Sequence, residues 1–197
     1  MVFDFGQVLS SPSELYNAPA ARLGVEPAAY EAAYWTGRLA YDQGGTDAEY
    51  WTPLLRSLER PTTPELVREL AQLDARLWVE GVRPDALDIV HEVREAGRLV
   101  AILSNAPFSL DLAFVDAPYA DAADYWFVSA SMGVTKPQEP VYFRVEEVLE
   151  MQPDEIAFLD DRPANVHAAR RAGWQAHLFV DDADTRAWLR ELRVLPA

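Results

Sequence analysis

The sequence predicts a three-layer α/β core built on a parallel sheet, with a small α-helical cap domain inserted after strand one. Three observations predict it. Short apolar runs alternate with helical patterns through the second half of the chain, and runs without polar alternation suit strands buried on both faces. The stretch from about residue 13 to 81 holds helical patterns and no convincing strand. Polar or acidic residues follow several of the apolar runs, at the strand ends where open parallel sheets bind ligands.

The strands are expected at 1–3, 99–103, 126–128, 156–159 and 176–180. The first is Met1-Val2-Phe3 and the second Leu99-Val100-Ala101-Ile102-Leu103. Helices are expected between and after them. Residues 84–96 carry Ala86, Leu87, Val90 and Val93 at helical spacing, with Gly97 as the stop. Residues 140–151, 163–172 and 182–192 show the same pattern, and Gly173 ends the second of these. Strands alternating with helices of this length argue for βαβ units. The inserted segment reads as helices broken at Gly24, Pro27, Gly44-Gly45 and Pro61, rich in Tyr and Trp. The domains are therefore expected at 1–13 plus 82–197 for the core and 14–81 for the cap.

The chain of 197 residues suffices for one core and a small lid. It has no cysteine, which removes disulfides, thiolate metal sites and a cysteine nucleophile, and fits a cytoplasmic location. The net charge of −15 argues against a nucleic-acid partner, which needs a basic surface. An anionic substrate would need a local positive site, and a divalent cation could supply one. No apolar run could span a bilayer and no signal peptide is visible. Only three residues precede Asp4 in a strand expected to be central, which points to a natural start further upstream.

Four strings carry chemistry. Phe3-Asp4-Phe5-Gly6 places an acid straight after a buried strand, where it must be paired or metal-bound. Alone it fits a catalytic acid and a loop beginning with Asp equally well. Ser104-Asn105 could hold a phosphoryl oxygen, although by themselves they read more simply as a helix cap. Gly133-Val134-Thr135-Lys136-Pro137 offers a cation after a turn, in an acidic chain; a surface lysine is the plainer alternative. Leu159-Asp160-Asp161-Arg162-Pro163 is the strongest, because two adjacent acids repel unless a cation is near, and Mg²⁺ takes such oxygen ligands. A helix cap explains one acid better than two.

The order of these four strings resembles the haloacid dehalogenase-like hydrolase superfamily. Gly-Val-Thr-Lys-Pro and Phe-Leu-Asp-Asp-Arg-Pro-Ala-Asn-Val look like its sugar-phosphatase-like branch, whose helical cap lies between the first two motifs. The resemblance implies a Rossmann-like core and Mg²⁺-dependent hydrolysis of a small phosphorylated metabolite. It makes Asp4 the nucleophile that forms an aspartyl-phosphate. Mg²⁺ would be held by Asp4, the backbone carbonyl of Gly6, Asp160 and Asp161. Ser104 and Asn105 would bind the phosphate, and Lys136 would pair with Asp4 and the phosphate, favouring the ionised nucleophile.

Gly6 departs from the pattern. Most phosphatases of the superfamily carry there a second Asp that protonates the leaving group, a contribution of ~10²–10⁴-fold. A slow enzyme, a substrate with a good leaving group, or a substitute such as Asp42 are the three explanations. Specificity is expected in the cap, where Trp35, Arg38 and Tyr41 would face the cleft if Gly44-Gly45 makes a turn; the alternative, and the weightier one, is that the aromatics form the cap's own core. Arg162 reads as a surface residue or a cleft cation. His91, His167 and His177 have no ligand spacing. The rival functions are a 2-haloacid dehalogenase, which needs no Mg²⁺, and a non-catalytic phospho-ligand binder. The chain is compatible with a monomer or a homodimer.

Overall fold

A computed structural model describes residues 1–196. Its strands are β1 (Val2–Phe3), β2 (Ala101–Ser104), β3 (Tyr125–Val128), β4 (Ala157–Asp160) and β5 (Gln175–Leu178). Between β1 and β2 run helices α1 (Asn17–Leu23), α2 (Pro27–Trp35), α3 (Arg38–Asp42), α4 (Asp47–Ser57), α5 (Pro64–Glu80) and α6 (Pro84–Glu95). Then follow α7 (Phe108–Val115), α8 (Ser129–Met132), α9 (Glu139–Leu149), α10 (Pro163–Arg171) and α11 (Asp182–Glu191).

All five strands are parallel, in the order β3-β2-β1-β4-β5. Phe3 lies opposite Ile102 on one side and Leu159 on the other. The chain winds outward from β1 to β3, then crosses back to build β4 and β5 on the far side. That reversal beside β1 opens a crevice at the carboxyl ends of the strands.

Successive strand residues point to opposite faces. Val2, Ala101, Leu103 and Phe158 pack with Val141, Tyr142 and Val145 of α9 and Val166 and Ala169 of α10. Phe3, Ile102 and Leu159 pack instead with Ile89 and Val93 of α6 and Leu189 of α11. Helices on both faces make the three layers expected.

Strand β2 starts two residues later than the expected 99–103. The Leu99 carbonyl, ahead of it, accepts from the N-terminal ammonium at 2.6 Å and Ala101 N–H donates to Met1 O at 2.9 Å, so pairing with the chain start begins early, while Val100 N–H turns to Asp124 Oδ2 at 2.8 Å. Helix α7 has no counterpart in the sequence reading. Leu110, Leu112, Phe114 and Val115 leave it apolar nearly all round, so no period shows. Leu110 and Phe114 are buried, and Phe114 meets Phe5 at 4.7 Å and Trp126 at 4.5 Å between ring centres.

The segment before α6 is all helical. Thr46 and Glu49 form a capping box at the start of α4, and Thr63 caps α5. The two chain crossings to the core run side by side: Ser11 N–H donates to Gly81 O, and Arg83 N–H to Leu9 O, both at 2.9 Å. A Cβ on Gly81 would lie 2.7 Å from the Pro12 ring, so this close approach needs glycine. Among the described residues no helix is long and apolar enough to cross a membrane.

Candidate active site

The crevice is a cleft of about 300 Å³. The end of β1 contributes Asp4 and Gly6, the end of β2 contributes Ser104 and Asn105, and the loop after β4 contributes Asp161 and Arg162. Lys136 arrives from the loop after α8. The helical segment closes the other side with Trp35, Arg38, Asp42 and Trp78.

Asp4 is buried, and its Oδ1 accepts from Phe5 N–H and faces Lys136 Nζ, both at 2.7 Å. No N–H among the described residues reaches Oδ2. Lys136 is buried too. Its ammonium faces Asp4 Oδ1, Asp160 Oδ2 at 2.8 Å and the Leu103 carbonyl at 2.7 Å, so its three protons are all engaged. Phosphate contact from Lys136 would require one of these to yield.

Asp160 has no exposed surface. Its Oδ1 accepts from Arg162 N–H at 2.8 Å and Asn165 Nδ2 at 2.9 Å, while Oδ2 holds Lys136. It enters the cluster already satisfied, and its visible task is to hold Lys136. Asn165 was not singled out in sequence; its signal was a polar residue on the inner face of α10. Asp161, one residue on, is half-buried and lies within hydrogen-bonding reach of Asp4. Oxygens of Asp4, Asp160 and Asp161 all fall within 4.8 Å of one another. The Gly6 carbonyl accepts no hydrogen bond among the described residues.

Three acids against one lysine leave an excess of negative charge. Burial, with the charges of Asp160 and Asp161 adding to it, pushes the Asp4 carboxyl up to about 8 against the pull of Lys136. Lys136 favours the ionised form of Asp4, as expected of such a pair, but burial is the larger influence. The 2.7 Å ion pair draws Asp4 toward the charged form, yet burial together with the Asp160 and Asp161 charges outweighs it, and a divalent cation would restore the balance. On Lys136 burial works the other way, but Asp160 and Asp4 overcome it and hold the ammonium charged.

Ser104 Oγ lines the cleft and has no protein partner among the described residues, so it is free for a ligand. Asn105 has a second task. Its amide clamps the Lys136 backbone from both ends, with Nδ2 to Lys136 O and Lys136 N–H to Oδ1, each at 2.8 Å. The side chain thus places Lys136, and the second Nδ2 proton remains for a ligand in the cleft that Asn105 lines.

Of the three specificity candidates, Trp35 and Arg38 line the cleft and Tyr41 does not. Tyr41 stacks on Tyr50 at 4.3 Å and its hydroxyl meets Ser109 Oγ at 3.1 Å. With Tyr34, Tyr50 and Trp51 it fills the interior of the helical segment. Each aromatic pair adds about 0.5–1.5 kcal/mol beyond burial, which explains why the rings turn inward. Trp35 stays 44 % exposed, and the Arg162 guanidinium sits 6.0 Å from its ring centre, so Arg162 is a cleft cation. His177 stacks on Trp188 away from the cleft, and His91 and His167 are exposed.

Arg38 is buried between two acids. Its Nε donates to Asp42 Oδ1 at 2.7 Å, and its Nη1 reaches the Tyr34 hydroxyl and, at 3.4 Å, Asp74 Oδ2. Asp74 escaped the sequence reading, although its signal was there: an acid on the buried stripe of α5, between Ala71 and Ala75 on one side and Leu70 and Trp78 on the other.

The model of haloacid dehalogenase-like hydrolases matches residues 9–173 of this chain. The chain belongs to the haloacid dehalogenase-like hydrolase family. The matched stretch contains Ser104, Lys136, Asp160 and Asp161 of this hydrolase; Asp4 and Gly6 precede it, and the fold brings them to the same cleft. The chain is 28% identical over 158 residues to Phosphatase MT3486 of Mycobacterium tuberculosis (strain CDC 1551 / Oshkosh), covering 77% of this chain and 71% of that protein. The fold is shared with the family enzyme bt-2542 of Bacteroides thetaiotaomicron, solved in complex with magnesium and inorganic phosphate (TM-score 0.65, 17% identity, 90% of this chain and 91% of that one). It is shared also with L-2-haloacid dehalogenase from Xanthobacter autotrophicus with chloropropionic acid covalently bound (TM-score 0.71, 20% identity, 99% of this chain and 83% of that one).

Proposed function

We propose that this hydrolase is a Mg²⁺-dependent phosphatase of a small phosphorylated metabolite, with residues 14–81 acting as its cap. The observation that carries the reading is the acidic cluster of Asp4, Asp160 and Asp161, whose oxygens lie within 4.8 Å of one another and face a single lysine. Hard cations take such oxygen donors. The donor set fits Mg²⁺ through Asp4, Asp161 and the Gly6 carbonyl, with Asp160 alongside. Bound there, Mg²⁺ would offset the phosphate charge that otherwise repels the nucleophile.

The remaining work falls to side chains. Lys136 and Phe5 N–H hold Asp4 Oδ1, which turns Oδ2 toward the substrate. Ser104 Oγ offers a hydrogen bond to a phosphoryl oxygen. Asp4 takes the phosphoryl group as the alkoxide leaves, and water then releases inorganic phosphate from the aspartyl-phosphate. The relative named a phosphatase and the fold neighbour holding magnesium and phosphate support this assignment.

Halide displacement is the second reading. Gly6, where an acid is missing, and the likeness to the haloacid dehalogenase favour it. The carboxylates beside Asp4 argue against it, since attack on carbon needs no cation there. The deciding assay is phosphate release from a panel of phosphorylated metabolites with Mg²⁺ or with EDTA. Mg²⁺-dependent release is expected, with Asp4→Asn slower by roughly 10⁴-fold or more. Halide release from 2-haloacids that is indifferent to EDTA would overturn the reading.

A further inference from the structure

The departure of an alkoxide from phosphorus needs a proton, and the loop after β1 supplies no acid for it because residue 6 is glycine. Trp78 closes over that place: a Cβ on Gly6 would lie 3.6 Å from its indole ring. Among the described residues lining the cleft, the acids are Asp4, Asp161 and Asp42, and there is no histidine. Asp4 and Asp161 belong to the nucleophile and the cation cluster. We propose that Asp42, the last residue of α3, is the proton carrier of the reaction. This rests on the phosphoryl-transfer reading above.

The surroundings of Asp42 suit the task. Its Oδ1 accepts from Arg38 Nε at 2.7 Å, and no donor among the described residues reaches Oδ2. Its residue exposure is 8 %, all that a cleft-facing oxygen needs. The groups around it are Arg38 on its own helix, Asp74 on α5 and Arg162 from the loop after β4. Within the buried part of this set, two acids share the one guanidinium of Arg38, so the second charge raises the proton affinity of the pair. Asp74 receives the more hydrogen bonds of the two, from the Tyr34 hydroxyl at 2.8 Å and Arg38 Nη1 at 3.4 Å, against Arg38 Nε alone on Asp42. Of the two, Asp42 at the cleft is therefore the one that takes up a proton more readily. Burial, chiefly, holds its carboxyl up at about 6, against Arg38, with Asp74 adding to the rise. That lies near the range in which a general acid works best.

The position of Asp42 is set by the core. Ser129 Oγ donates to the Asp42 carbonyl oxygen, and Gln43 Nε2 donates to Thr135 Oγ1 at 3.2 Å, one residue before Lys136. Gly44 follows with φ 106°, and a Cβ there would approach the Ala130 carbonyl to 3.2 Å. The turn is thus pinned to the loop that carries Lys136.

The steps balance. As Asp4 Oδ2 bonds to phosphorus and the ester P–O bond breaks, the Asp42 carboxylic acid gives its proton to the leaving oxygen. As water attacks and the Asp4–phosphorus bond breaks, the Asp42 carboxylate takes a proton from that water and is restored.

The test compares kcat/KM for an alkyl phosphate ester with that for p-nitrophenyl phosphate, whose leaving group needs no proton. Asp42→Asn keeps an acceptor for Arg38 Nε, and a melting curve checks its fold. The variant should lose ~10²–10⁴-fold on the alkyl ester and less than about tenfold on the nitrophenyl ester. In the wild type, kcat/KM for the alkyl ester should fall on the alkaline side, relative to the nitrophenyl ester; this profile serves alone if the variant fails to fold. Equal losses on both esters, or a wild-type ratio flat with pH, would remove Asp42 from the reaction while leaving the phosphatase reading intact. Phosphate release from neither ester by the wild type would overturn both.

Discussion

Two buried charge clusters face each other across the cleft, and they resolve the same problem differently. In the core, Asp4, Asp160 and Asp161 surround one lysine. In the helical segment, Asp42 and Asp74 share one arginine. Each has more carboxylates than cations, and an unpaired buried charge is expensive. The core cluster is open to the cleft through Asp161 and has the oxygen spacing of a cation site. The helical cluster packs against Tyr34 and Trp78, reaches the cleft through Asp42, and under our proposal relieves its excess with a proton. The lesson is that excess carboxylate charge beside a cleft can be answered by a metal or by a proton, and that three clustered carboxylates favour the first while a pair sharing an arginine favours the second.

The largest break in this contrast comes from Lys136→Ala. It leaves Asp4 and Asp160 facing without their cation, at a cost of about 3–5 kcal/mol. The melting temperature should fall by more than about 6 °C, with turnover down at least about 10²-fold. A variant as stable as the wild type would show that Lys136 does not hold the cluster together.

Magnesium sharpens the contrast. Without it Asp4 keeps its proton up to about pH 8, whereas the unfolded chain loses it near 3.8. The native state then binds more protons across that window, so the metal-free protein loses stability as pH rises through it. Mg²⁺ requires the deprotonated carboxylates and displaces that proton. At about 100 times its Kd, Mg²⁺ adds about 2.7 kcal/mol, or about 5–10 °C at pH 8. At pH 5 the same Mg²⁺ concentration should give a smaller shift. Equal shifts at both pH values, read by thermal melting, would show that Asp4 is ionised without the metal.

Asp74→Asn gives the smallest effect. It removes one acid from the helical cluster and keeps one acceptor, for the Tyr34 hydroxyl or for Arg38 Nη1, so stability should change by less than about 1.5 kcal/mol. With a negative neighbour gone, Asp42 ionises more easily, and the alkaline fall in alkyl-ester turnover should move down by about one pH unit. An unmoved profile would mean the two acids are not coupled through Arg38.

Much of this molecule could be read from the sequence because the signals were local. Apolar runs without alternation marked buried parallel strands; the strings after three of them brought Asp4, Ser104 and Asp161 to one cleft, which Lys136 reaches from the loop after α8 rather than from a strand end. Helix α7 was hidden because its residues are apolar on nearly every side. Tertiary contacts alone decided that Tyr41 turns inward, that Asn105 serves the Lys136 backbone, and that Asp160 arrives with its oxygens filled. They also decided that Asp74, thirty-two residues from Asp42, shares its arginine. Strand ends are addressed by the order of the sheet, which hydrophobic pattern encodes. The partner of a buried charge is set by which helix faces pack together, and no local pattern carries that.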